Sequence, residues 1–154
     1  MTLNFEKYAA RGNEIVHRLD LVLGSKGTDH AARVLRSVLH ALRNRFSMEE
    51  SFQFMAQLPM ALKSVYVEGW KPEKLNKSIR SLEDLADEVM KEDGRTVWRD
   101  FSSQQEAAHA IRLVMGVLTE FISPGELQDI AATVPEDLRN EILSWGKAKA
   151  PITG

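Results

Sequence analysis

Arg33, Arg36, His40 and Arg43 follow one another at spacings of three, four and three residues. On a helix this spacing sets four basic groups in one row. Such a row could meet phosphate, nucleic acid or an acidic partner. It could equally be a solvated face, or pair with carboxylates elsewhere in the chain. A second group of interest is Trp70, Trp98 and Trp145. Exposed, Trp70 or Trp98 would be an apolar anchor for a partner; buried, the indoles would clamp the ends of the helices.

Catalytic chemistry has little to work with. The four histidines, His17, His30, His40 and His109, form no His-x-x-x-His pair or other metal-ligand spacing, and the chain has no cysteine. There is no Gly-x-Ser-x-Gly elbow, phosphate-binding loop or dinucleotide fingerprint. The carboxylates Glu83, Asp84, Asp87, Glu88, Glu92 and Asp93 read as the solvated face of one amphipathic helix. We therefore expect no catalytic residue, no metal, no cofactor and no small-molecule ligand.

The bulk properties agree with a single compact domain. A chain of 154 residues, 44% hydrophobic and 27% charged, can bury a core without disulfides or metal. A net charge of −2 provides no general attraction to DNA or acidic membranes. The opening residues lack the basic and apolar regions of a secretory signal, and no apolar run reaches membrane-spanning length. Together with the missing cysteine, these features lead us to expect a soluble cytoplasmic protein.

Helical periodicity runs through the chain. Apolar residues from Phe5 to Leu23 predict a first helix closed by Gly24, with Gly12 weakening its middle unless another helix approaches there. Thr28 is expected to cap a second helix carrying the stripe Val34, Leu35, Val38, Leu39, Leu42 and Phe46. Ser47 to Glu50 reads as a capping box for a third helix ending at Leu58, and Pro59 starts a fourth running from about Met60 to Val67. After Gly69-Trp70-Lys71-Pro72, residues 71–80 read as a linker or surface helix. Ser81 opens a helix closed by Gly94. Val97, Trp98 and Phe101 lie in a connection where three large apolar groups would plug an edge of the core. Ser103 to Glu106 reads as a capping box for the next helix, Ser123-Pro124 starts another, and Pro135 begins the last, ending near Trp145 ahead of a frayed tail at 146–154.

The chain also repeats. With a shift of 76 and no gap, Ala31 to Leu62 matches Ala107 to Leu138 at 10 of 32 positions, against roughly two by chance. The matches, among them Arg36/Arg112, Ser47/Ser123, Glu50/Glu126 and Pro59/Pro135, fall where helix faces, caps and turns are set. Upstream, Asn13 to Gly24 aligns with Glu83 to Gly94 at a shift of 70, so the second half carries six extra residues between its first two helices. The expected fold is an all-α, internally duplicated bundle of about eight helices in two four-helix repeats, over residues 5–70 and 81–145.

The run Ala31-Ala32-Arg33-Val34-Leu35-Arg36, followed by Gln57-Leu58-Pro59 and Tyr66-Val67-Glu68-Gly69-Trp70-Lys71-Pro72, resembles the bacterial family catalogued as domain of unknown function 2267. The likeness covers nearly the whole chain and has an echo in Val134-Pro135-Glu136-Asp137-Leu138, where valine replaces the usual leucine before proline. It implies a helical, internally duplicated prokaryotic protein and carries over no catalytic or cofactor residue.

From these residues we expect a non-enzymatic helical interaction module that binds a protein partner or another copy of itself. Its candidate contact residues are Arg33, Arg36, His40, Arg43, Trp70 and Trp98. The alternative is a regulatory or stress-related module recognising nucleic acid or a phosphorylated ligand through the basic row. Third comes an enzyme with a site between the halves, which would need a pocket holding several ionisable groups with shifted pKa values.

Overall fold

The computed structural model describes residues 3–147. Among them all regular structure is helical: α1 (Phe5–Val22), α2 (Thr28–Arg45), α3 (Met48–Ala56), α4 (Met60–Val67), α5 (Leu82–Asp93), the single turn α6 (Val97–Asp100), α7 (Gln104–Leu118), α8 (Pro124–Ala131) and α9 (Glu136–Lys147). Eight of these have eight residues or more, and α6 is the extra one.

Local chemistry accounts for most boundaries. Ser47 forms the full capping box, its hydroxyl accepting from the Glu50 amide while the Glu50 carboxylate accepts from the Ser47 amide. Ser103 makes only half of one, because the Glu106 carboxylate turns to Ser102 instead. Pro59 and Pro135 each offer a carbonyl to the first turn that follows, where the missing proline N–H costs nothing. The start of α2 differs from expectation. Thr28 is already helical, and the cap position belongs to Gly27 at φ 107°, a left-handed conformation suited to glycine and held by the Asp20 carboxylate on its amide.

Helices α2 and α7 form the centre. Val34, Leu35, Val38, Leu39 and Leu42 of one and Ile111, Val114, Met115 and Leu118 of the other are at most 2% exposed. Within the first half α1 packs on α2 and α4, α2 on α4, and α3 on α4. In the second, α5 packs on α7 and α9, α7 on α9, and α8 on α9. Between the halves α2 packs on α5, α1 on α7, α2 on α7 and α3 on α8. Exchanging α1 with α5, α2 with α7, α3 with α8 and α4 with α9 maps each of these pairs onto another of them, or, for α2 with α7 and α3 with α8, onto itself. The contacts thus have the pattern of a two-fold axis passing between α2 and α7. Polar bridges also cross from half to half: Arg18 to Glu120, Asn44 to Glu88, and Thr133 to Glu50.

Residues 71–80 are neither free linker nor regular α-helix. One 3-10 turn, Pro72–Lys74, precedes irregular chain in which Ile79 is buried. Arg45 Nε donates to the Ile79 carbonyl at 2.7 Å, and the Asn76 amide donates to the Asn44 carbonyl at 2.7 Å, pinning the segment to the end of α2. In the connection after α5, Phe101 plugs the core and Val97 is partly buried, but Trp98 faces solvent at 75% exposure with the Arg99 guanidinium over its ring. Only two bulky groups are needed to close that edge. At the other end Gly146 and Lys147 still belong to α9, and the rest of the expected frayed tail lies outside the described residues.

Gly12 is required by a close approach. A Cβ there would stand 2.7 Å from the Cβ of Ala61, so α1 and α4 touch backbone to side chain at this point. Gly12→Ala would gain about 1 kcal/mol of helix propensity but incur overpacking of roughly 1–3 kcal/mol. We expect a net loss of about 1 kcal/mol in urea unfolding, partly recovered by adding Ala61→Gly. Equal stability of Gly12→Ala and the parent would contradict the close approach.

Candidate functional site

The basic row on α2 is largely turned to internal duties. Arg33 grips Asp100 with two hydrogen bonds of 2.8 Å, Nε to Oδ2 and Nη2 to Oδ1, and the Asp100 side chain is fully buried. His40 Nε2 lies 2.7 Å from the Val65 carbonyl. Arg43 is buried, and its Nη1 donates to the carbonyls of Tyr66 at 2.8 Å and Glu68 at 2.6 Å. These carbonyls end α4 and lack helical partners, so His40 and Arg43 act as its C-terminal cap. Burial pushes the His40 imidazole below its ordinary range and also lowers the Arg43 guanidinium. Arg36 alone stays open, in a loose pair with Glu68 at 3.6 Å whose members are both more than half exposed.

The tryptophans divide in the same way. Trp145 is buried, its Nε1 donating to Glu141 Oε2 at 2.9 Å while Arg112 holds both carboxylate oxygens of Glu141. Trp70 is partly buried and packs edge-on against Tyr66 and Phe52, with centroids 5.9 and 6.1 Å away. Only Trp98 is free to meet a partner.

Between the halves lies a feature with more chemistry than either group. A cleft of about 310 Å³ is lined by Val22, Leu23, Gly24 and Lys26 from the α1–α2 turn, His30 and Val34 from α2, Asp100 and Phe101 ahead of α7, and Glu106, His109, Ala110 and Leu113 from α7. At the 76-residue shift His30 corresponds to Glu106 and Val34 to Ala110. Equivalent stretches of both halves therefore form its two walls, on either side of the two-fold pattern. His30 is 7% exposed, and its Nδ1 is buried without a hydrogen-bond partner. Glu106 accepts from Ser102 and pairs with Lys26 at 3.8 Å, while the exposed His109 stands at the rim.

Behind this wall two carboxyl groups meet. Burial pushes Asp93 up to about 6, aided by its contact with Asp100; the Thr96 hydroxyl donates to Asp93 Oδ1. Burial also pushes Asp100 upward, but the paired hydrogen bonds from Arg33 outweigh it and hold that carboxyl below its ordinary range. Asp93 Oδ2 is buried without a hydrogen-bond partner, and Asp100 holds the one nearby arginine. Asp93 was expected on a solvated face, and nothing in its local sequence separates it from Glu92. The partner that buries it comes from the extra connection. Among the described residues no group of three or more His, Asp or Glu side chains is arranged to hold a metal ion, and no helix is long and apolar enough to cross a membrane.

The family model described as "Uncharacterized conserved protein (DUF2267)" matches residues 12–140. The chain belongs to the DUF2267 family. No curated protein matches it. In this DUF2267 chain the Leu58-Pro59 and Gly69-Trp70-Lys71-Pro72 elements serve the fold. Leu58 is buried at the turn into α4, Gly69 takes a left-handed φ of 68°, Trp70 packs on Tyr66, and Pro72 opens the 3-10 turn.

Three outcomes follow from this geometry. Arg43→Met strands two carbonyls at the end of α4 and is expected to cost roughly 2–4 kcal/mol in urea unfolding. Arg36→Glu is expected to change stability by less than about 1 kcal/mol, as exposed pairs do. Asp93 titrates higher in the folded state than its ordinary 3.8. Its stabilising protonated form is complete below that value and is lost as pH rises toward about 6. Asp93→Asn, which is neutral at every pH, should therefore exceed the parent in stability by about 1–2 kcal/mol at neutral pH. That advantage should shrink as pH falls through this window; a pH-independent difference would contradict the raised Asp93 carboxyl.

Proposed function

We propose that the protein is a non-enzymatic helical interaction module that associates with a second copy of itself through the leading ends of α1 and α4. The observation that carries this reading is an apolar surface there that stays exposed among the described residues. Phe5 is 69% exposed, Met60 51% and Tyr8 39%, and Phe5 meets Tyr8 edge-on. Beside the protruding Phe5, Tyr8, Ala10, Pro59 and Met60 line a groove of about 680 Å³. A knob next to a hole is the arrangement an isologous pair can use twice.

Charge supports a second copy as the occupant. The groove is also lined by Lys7 and Glu14, two turns apart on α1. Antiparallel packing of α1 on its counterpart would set Lys7 of each copy against Glu14 of the other. Arg11 lines the groove as well, pairing with Glu14 at 3.3 Å and lying over the Phe121 ring. By contrast, the row from Arg33 to Arg43 retains one open cation, which disfavours recognition of nucleic acid through it. Placement in the cytoplasm belongs to this same reading and rests on a cysteine-free chain.

Sedimentation equilibrium over a wide concentration range tests the proposal. We expect reversible dimerisation, weakened about tenfold or more by Phe5→Ser with Met60→Glu, equivalent to about 1.4 kcal/mol or more. Lys7→Glu alone should weaken it, and Lys7→Glu with Glu14→Lys should restore it. A monomer at every concentration, or a dimer indifferent to these changes, would overturn the reading.

A further inference from the structure

We propose that the cleft between α2 and α7 binds a small monocarboxylate with an apolar body, its head hydrogen-bonded by His30 and His109 and its body lying against Val22, Val34, Phe101 and Leu113. Nothing in the sequence pattern points to a small molecule; the cleft does, through three separate features. Size comes first. A cavity of roughly 150 Å³ can take a benzene ring, so the 310 Å³ here admits a ring or short chain with a polar head. It falls at the small end of ligand sites.

Polarity comes second. His30 is a buried imidazole in the wall of the cleft, and among the described residues no side chain or carbonyl satisfies its Nδ1. An unmatched buried polar group costs stability unless a ligand completes it. The other charged groups of the lining already have partners: Asp100 has Arg33, and Glu106 has Lys26 and Ser102. What is left for a ligand is imidazole.

Field direction comes third. The first turns of α2 and α7 both contribute to the lining, and the α2 terminus has only Gly27 at its cap, with no side chain on its free amides. Two helix starts and Lys26 favour a negative head and oppose an ammonium. Asp100 and Glu106 limit how much negative charge is tolerated, which selects a monoanionic carboxylate over a phosphate dianion. Asp29, in the same turn of α2, is exposed and outside the lining. This inference does not depend on self-association, since the α1–α4 groove shares no residue with the cleft.

The test is titration of the full chain with benzoate, benzyl alcohol and benzylamine near neutral pH. Heat and the NMR shifts of the His30 and His109 ring protons and the Ala110 methyl are followed. Benzoate is expected to bind saturably at those three residues, about tenfold or more tighter than the alcohol or the amine, as one charge-assisted hydrogen bond requires. His30→Phe should remove that preference. Leu113→Trp fills the cleft while leaving every polar group in place, and should abolish binding in a chain shown by circular dichroism to be folded; it carries the test if His30→Phe does not fold. Absence of saturation by benzoate, tighter binding of benzylamine, or undiminished binding to Leu113→Trp would overturn the proposal.

Discussion

Arg43 and Arg45 are buried at the end of α2, and a desolvated guanidinium must find acceptors inside the protein. Each finds backbone carbonyls: Arg43 those of Tyr66 and Glu68, Arg45 that of Ile79. This one requirement explains why the last turn of α4 and the connection after it lie where they do. A row of basic residues that resembles a docking surface becomes a set of internal caps. The same helix presents Val34, Leu35, Val38, Leu39 and Leu42 to the core. Displacing α2 would therefore expose apolar surface and strand buried charges together, coupling the two halves into one cooperative unit.

The two halves share helix order and neighbours, yet their polar chemistry differs. In the second half Arg112, Glu141 and Trp145 form a closed network between α7 and α9, whereas the matched Arg36 makes only a loose surface pair. The extra connection adds Asp100, which draws Arg33 across the interface and brings Asp93 under its influence. A segment without a counterpart in the first half thus supplies Asp100 and Phe101 to the cleft, and its Asp100 adds to the burial that pushes Asp93 up to about 6.

Much of the framework was legible in order and type because its signals are local. Ser47 with Glu50, Pro59, Ser81 and Gly94 set their boundaries through backbone groups within four residues, and Met60–Val67 appears where periodicity puts it. Gly12 was readable as a close approach, though not the identity of Ala61. Trp98 was misjudged because an apolar residue in a connection carries no periodic neighbours to say which way it points. Asp93 reads in the sequence as one more carboxylate of a solvated face for a related reason. Carboxylates seven residues apart become a pair only when the turn between them brings their side chains together.

Composition, spacing and capping residues sufficed for an all-helical chain of this order, for the family to which it belongs and for the absence of familiar catalytic motifs, since each depends on residues close together along the chain. Tertiary structure decided which charges are exposed, which imidazole lacks a partner and where a cleft opens. Burial and hydrogen bonding depend on distant segments, so four basic residues with one helical spacing can include three internal braces and a single open cation.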